Sequence, residues 1–132
     1  MSVEISSRAT SGGLERIAQA AIESIPDELR QHIRDVVIRI DDFPGDAVMA
    51  EMNLSSPYDL LGLYQGISLD RKSVSDPMPD VDMIFLYREP IMVYAEQTGE
   101  ALERVVRHVL IHEIGHHFGL SDDDMRRIEK QD

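Results

Sequence analysis

The stretch that decides the fold of this 132-residue chain reads His112-Glu113-Ile114-Gly115-His116-His117-Phe118-Gly119-Leu120-Ser121-Asp122. The apolar residues that precede it recur at helical spacing: Leu102, Val105, Val106 and Val109. Such spacing predicts one amphipathic helix that runs into the stretch. Thr98 is expected to cap this helix, and Gly119 is expected to end it.

The residues of this stretch have the spacing of a metal site. Side chains four residues apart on a helix differ by only ~40° around its axis, so His112 and His116 can bind one ion from the same face. Glu113 lies between them in height, where its carboxylate can take a proton from water at the ion. Because the chain contains no cysteine, its metal ligands must be His, Asp or Glu. The pattern predicts a Zn²⁺ site with Glu113 as general base.

A catalytic zinc site needs a third protein ligand. Few residues follow His116, so we expect no separate downstream helix that brings back a glutamate, as thermolysin-like enzymes have. A left-handed Gly119 can instead turn the chain back, which makes Asp122 the expected third ligand. Asp123 and Asp124 are alternatives at a less suitable offset. The full pattern matches that of metzincins, with aspartate in place of the third histidine.

Other histidines and tyrosines near the motif are given lesser roles. His108 lies two helical turns before His116, too far to share an ion with it, and is expected at the surface or in packing. His117 points ~100° away from His116, so a hydrogen-bonding role beside the site is expected. Three tyrosines are expected in the core or sheet, and one of them could stabilise an oxyanion: Tyr64, Tyr87 and Tyr94.

The rest of the chain predicts further helices and three strands. Helices are expected from Leu14 to a stop at Pro26, briefly over 27–33, and from the cap Ser121 to about Glu129. The predicted strands cover 36–40, 60–64 and 81–87. The segment 66–80 has no periodicity and could close over a site as a lid. We expect one domain over 1–132, with 1–11 flexible.

The charge of the chain restricts its partners. Asp and Glu number 25 against 13 Lys and Arg, which gives a net charge of −12. Such a surface repels phosphate backbones and anionic bilayers, so neither nucleic acid nor membrane is an expected partner. Residues 1–13 lack the apolar region of a secretory signal, and no stretch has the length and apolarity expected of a membrane span, so we expect a cytoplasmic protein.

Several segments of the chain, including the motif helix and two predicted strands, resemble the minimal zincin-like family of small bacterial metallopeptidases. The active helix of that family is similar to 109–120, and its strands are similar to 61–66 and to the residues from 78 to 88. The resemblance, over 14–126, implies a compact α+β zincin-like fold, in which helices pack on a small mixed sheet of three or four strands. It also implies ligand roles for His112, His116 and Asp122, Glu113 as catalytic residue, and a strand that holds extended substrate.

The sequence therefore predicts a zinc-dependent peptidase whose substrate is a peptide or a protein. One alternative is a zinc-stabilised binding or regulatory module that recognises a partner through the sheet edge and 66–80. Another is an enzyme that hydrolyses a small amide at the same site. The variant Glu113→Gln separates hydrolysis from binding, because it should keep the zinc and abolish turnover.

Overall fold

The computed structural model of the protein describes residues 10–31, 35–67 and 81–130. Its helices are α1 (Ser11–Ser24), α2 (Asp27–Arg30), α3 (Asp46–Glu51), α4 (Arg88–Thr98), α5 (Leu102–His117) and α6 (Asp122–Lys130). Its strands are β1 (Asp35–Asp41), β2 (Gly62–Ile67) and β3 (Val81–Tyr87), and a short 3₁₀ helix spans Pro57–Asp59. No helix within these ranges is long and apolar enough to cross a membrane.

The strands form one mixed sheet in the order β1-β3-β2. β1 runs parallel to the central β3, whereas β2 runs antiparallel to it and forms an edge. This sheet, with helices packed on it, confirms the predicted α+β class. The predictions for 36–40 and 81–87 are confirmed, but the third strand begins later and ends later than 60–64. Residues 68–80 of the predicted lid lie outside the described residues, and its first two residues belong to β2.

The core lies between the sheet and the two longest helices. α1 buries Leu14, Ala18 and Ile25, as its apolar stripe predicts. Thr10 caps this helix by accepting a hydrogen bond from the Gly13 N–H, at 3.0 Å. The segment predicted to be flexible, 1–11, therefore ends two residues too late, because Thr10 and Ser11 belong to the start of α1. Residues 1–9 lie outside the described part of the chain. α5 packs against α1, α4, α6 and β2, which makes it the central helix.

Two helices were not predicted, and one predicted cap is wrong. α3 is a short helix in a turn-rich segment, and α4 follows β3 without a break, with Pro90 in its first turn. Thr98 ends α4 instead of capping α5, because its hydroxyl donates to the Tyr94 carbonyl at 2.8 Å. Gly99 follows in the left-handed conformation, with φ +74°. α5 then starts at Leu102 without a side-chain cap.

Gly62 lets the edge strand β2 lie directly on α5. A Cβ atom at this position would come within 2.7 Å of Val109 Cγ1 and 3.0 Å of the Phe85 carbonyl oxygen. Val109 is buried in α5 and Phe85 belongs to the central strand, so neither neighbour can move away at low cost. The absence of a side chain at Gly62 therefore sets the distance between β2 and the motif helix.

We expect Gly62→Ala to destabilise the protein by about 1–3 kcal/mol, the usual cost of overpacking a core. Thermal melts followed by circular dichroism measure the effect. Gly12→Ala is the matched control, since its added Cβ in α1 would have only an arginine side-chain end 3.9 Å away. That control should melt at or above the wild-type temperature. A wild-type melt for Gly62→Ala would contradict the packing account.

Candidate metal centre

α5 ends in the turn that the sequence predicts. Gly119 has φ +76°, a conformation that glycine adopts without steric cost. The Leu120 N–H donates to the Gly115 carbonyl at 2.9 Å, and the Gly119 N–H donates to the His116 carbonyl at 3.2 Å. This is the Schellman pattern, which satisfies the last carbonyls of a helix. The turn leads directly into α6.

α6 returns along α5 and packs closely against it. Ser121 caps α6, because its hydroxyl accepts the Asp124 N–H at 3.0 Å. Met125 is fully buried, and a Cβ added at Gly115 would collide with its sulfur atom. The glycine inside the motif therefore lets α6 approach the motif helix. The predicted terminal helix is confirmed.

The end of α6 brings a carboxylate onto two histidines of α5. Glu129 Oε2 lies 2.8 Å from His108 Nδ1, and Oε1 lies 3.3 Å from His112 Nε2. The two imidazole rings lie 4.0 Å apart between centroids. One ligand atom from each of the three residues can be chosen so that all lie within 4.8 Å of one another. We call this group the α5–α6 cluster, and its donor set could hold a metal ion.

His116 and Asp122, two of the three predicted ligands, lie outside the α5–α6 cluster. The His112 and His116 rings are 6.0 Å apart between centroids and nearly perpendicular. His116 is exposed, as is Asp122 in the first turn of α6. The shared ion of His112, His116 and Asp122 therefore stays a prediction.

Sequence reasoning missed Glu129 and set His108 aside. The expectation that too little chain follows His116 for a downstream helix to return a glutamate is wrong, because α6 does so in nine residues. A usable pattern was present in α6. Its buried residues are Met125 and Ile128, and Glu129 lies beside them on the side that faces α5.

Glu113 is held at the edge of the sheet. Its Oε1 accepts a hydrogen bond from the Tyr64 backbone N–H of β2, at 3.2 Å. Burial raises the pKa of Glu113, while the Tyr64 N–H and the charge of His116 act in the opposite direction. A raised pKa brings a carboxylate nearer to the range in which it can both accept and release a proton.

Burial also lowers the pKa of His112, and the neighbouring charge of His108 adds to that effect. The carboxylate of Glu129 acts against both. The lowered pKa of His112 favours the neutral imidazole, the form that a metal ligand must have.

The other predicted residues lie around this centre. The Tyr64 ring is buried and stacks on His117, with ring centroids 4.0 Å apart. Tyr87 is buried, and this burial is the main cause that raises its pKa. The negative charges of Asp41 and Glu113 raise the pKa of Tyr87 further. Tyr94 is partly exposed on α4, at 40% of its surface. Tyr64 therefore contacts Glu113 through its backbone, and Tyr87 lies near enough to feel its charge.

A comparison with known families adds a match over residues 33–131, to the model of the zincin-like metallopeptidases. The chain belongs to this family. The match covers the three strands and helices α3 to α6, and it confirms the resemblance drawn from the motif. A comparison with curated proteins gives no match. Membership in a zincin-like family implies a metal ion, and the imidazole and carboxylate groups on α5 and α6 have suitable chemistry for one.

The raised pKa of Glu113 predicts how metal-free stability depends on pH. Since the folded state holds this proton more tightly than the unfolded chain, the free energy of unfolding falls as pH rises through the raised pKa. Glu113→Gln removes this penalty and keeps an oxygen for the Tyr64 N–H. At pH 7 to 8 we expect the melting temperature of this variant to exceed that of the wild type by a few degrees. One kcal/mol of added stability raises the melting temperature by about 2–8 °C.

The difference should disappear below about pH 4, where the carboxyl group is protonated in both states. Melts at several pH values, with chelator present, make the measurement. Glu103→Gln, on the exposed side of α5, is the matched control. A constant difference between Glu113→Gln and wild type at every pH would contradict the assignment.

Proposed function

We propose that this zincin-like protein is a zinc-dependent peptidase that uses Glu113 as general base. The observation that carries the proposal is the hydrogen bond of Glu113 to the backbone of the edge strand β2. It holds a half-buried carboxylate one residue from His112, at a sheet edge where an extended chain could bind. His112 and His116 are the proposed zinc ligands, with Asp122 as the third.

The donor set on α5 supports the choice of zinc. His112 is half-buried and its pKa is lowered, which favours the neutral imidazole, and His116 lies one turn further along the same helix. Neutral imidazoles with a carboxylate are typical of catalytic zinc sites, which leave a coordination position open. When bound, zinc would polarise the scissile carbonyl and lower the pKa of a water molecule.

The chain's own residues would handle the proton. Glu113 takes a proton from the attacking water molecule, and the hydroxyl group that is left adds to the carbonyl carbon of the substrate. Glu113 then donates this proton to the leaving amine as the C–N bond breaks. The Tyr64 N–H keeps the carboxylate aimed during both transfers, since it bonds one oxygen and leaves the other available.

The substrate proposed here is a peptide or protein in extended conformation. Directly before β2, the Leu61 carbonyl accepts the Tyr87 N–H of β3, whereas the Tyr64 N–H in β2 faces Glu113. Strand alternation therefore directs the backbone groups of Gly62 and Tyr64 away from β3, towards the open edge. An added strand there would pass over Glu113. We propose neither nucleic acid nor membrane as a partner, given the net charge of −12.

The α5–α6 cluster favours a second candidate function. A metal ion at His108, His112 and Glu129 would join the motif helix to the terminal helix. Such an ion would stabilise the fold without a reaction, as in a zinc-stabilised binding or regulatory module. The two candidates differ in whether Glu113 matters for anything beyond stability. The cytoplasmic location stays a prediction in either case.

Glu113→Gln decides between the two candidates. For a peptidase, we expect zinc content to stay at the wild-type level and kcat to fall by about 10²–10⁴-fold, the usual contribution of a general base. The assay uses a library of extended fluorogenic peptides with zinc-loaded protein, beside metal analysis of the same samples. Glu103→Gln is the control and should keep full turnover. Unchanged turnover in Glu113→Gln would contradict the peptidase proposal.

Asp122→Asn tests the third ligand. We expect the zinc affinity of this variant to fall by at least about tenfold. Loss of a residue that only hydrogen-bonds a metal ligand already has an effect of this size, and loss of a ligand should have at least as large an effect. The control is Glu103→Gln, on the exposed side of α5 and outside the set of possible ligands. Competition titration with a chromophoric chelator measures both. Equal affinities of the two variants would remove Asp122 from the ligand set.

A further inference from the structure

We propose that His108, His112 and Glu129 form a divalent-cation site of their own, which shares His112 with the motif site. The site lies one helical turn nearer the start of α5 than the pair His112 and His116. This inference goes beyond the proposed peptidase function, because it concerns a different cation site that competes with the motif site for His112. Only the consequence of this site for catalysis rests on the proposed peptidase function.

The geometry of the α5–α6 cluster is close to that of a coordination sphere. Ligand atoms bonded to one ion at about 2.1 Å lie roughly 3–4 Å apart. Glu129 has one oxygen 2.8 Å from His108 and the other 3.3 Å from His112. With all three ligand atoms within 4.8 Å of one another, small rotations of the side chains suffice to place them around an ion.

The donor set selects the kind of cation. Two imidazoles and one carboxylate suit Zn²⁺, Co²⁺ or Ni²⁺, whereas Mg²⁺ and Ca²⁺ prefer oxygen ligands alone. The three side chains keep between 23% and 46% of their surface exposed, so an ion can reach them from solvent. Three protein ligands would leave at least one position for water or another small ligand.

The surroundings hold Glu129 in place. The Arg107 guanidinium donates to the Glu129 backbone carbonyl at 2.6 Å and to the Ser24 hydroxyl at 3.2 Å. This fixes the last turn of α6 to α1 and α5, so the carboxylate is positioned without a metal. A cavity of about 320 Å³ adjoins His108 and Glu129, and Arg104 and Lys130 also line it. The cavity gives the open coordination positions access to solvent.

Sharing His112 makes the two sites compete. Its Nε2 atom faces Glu129, and one nitrogen lone pair binds one ion. When an ion in the α5–α6 cluster binds this nitrogen, His112 can no longer share an ion with His116. If the protein is a peptidase, an excess of zinc should therefore lower its activity, and His108→Gln should relieve that inhibition.

Cobalt titration of the full chain tests the site directly, because bound Co²⁺ reports its coordination through its visible absorption. The variant His116→Gln disables the motif site and should still bind one equivalent of Co²⁺. Adding either His108→Gln or Glu129→Gln to it should weaken that binding by at least about tenfold. Adding Glu103→Gln instead should leave the binding unchanged. Circular dichroism of each variant checks that it is folded.

Two results with the variants would overturn the proposal. One is that folded His116→Gln binds no Co²⁺, and the other is that it binds Co²⁺ equally well after His108 and Glu129 are both replaced. A measurement on the unsubstituted protein guards against a variant that fails to fold. The His108 ring protons should shift in the NMR spectrum as Co²⁺ is added, and unmoved signals at two equivalents would overturn the proposal as well.

The cobalt experiment is independent of the peptidase assay. If Glu113→Gln keeps full turnover while His116→Gln binds Co²⁺ through His108 and Glu129, the proposed function fails and the second site stands. If Glu113→Gln loses turnover while the cluster binds nothing, the reverse holds.

Discussion

The close contact of β2 with α5 is the constraint on which the site depends. Gly62 has no side chain, so the edge strand approaches Val109 to a distance that a methyl group would already block. This approach carries the Tyr64 N–H to Glu113, two residues further along the strand. Without it, the carboxylate next to His112 would have no backbone donor from the sheet. The geometry of the candidate site therefore begins with packing rather than with the motif itself.

A second glycine has the same function on the other side of α5. Gly115 lies inside the motif, and the sulfur of the buried Met125 occupies the space that a side chain there would fill. α6 can then lie against α5 and bring Glu129 to His108 and His112. The motif helix thus meets a strand on one side and a helix on the other. Each contact supplies one polar group: a backbone N–H for Glu113, and a carboxylate for the histidines.

Local patterns predicted much of this arrangement. The spacing around His112, the left-handed Gly119 and the Ser121 cap each depend on a few neighbouring residues, so they could be derived from the sequence. Thr98 was misassigned because a threonine hydroxyl can accept an N–H at the start of a helix or donate to a carbonyl at the end of one, and here it donates to the Tyr94 carbonyl. Glu129 was missed because Met125 and Ile128 indicate only which side of α6 is buried, whereas the contact of Glu129 with His112 depends on how α6 packs on α5. The hydrogen bond between Tyr64 and Glu113 spans 49 residues and requires the whole sheet.

The central claim is that His112 binds a divalent cation in this chain, whichever of its two neighbouring sets of partners completes the site. Elemental analysis of protein purified without chelators tests it most directly, beside His112→Ala prepared in the same way. The account predicts at least one equivalent of zinc or a similar metal in the wild type, and almost none in the folded variant. Metal-free wild type that cannot be loaded, or equal metal in both proteins, would contradict it.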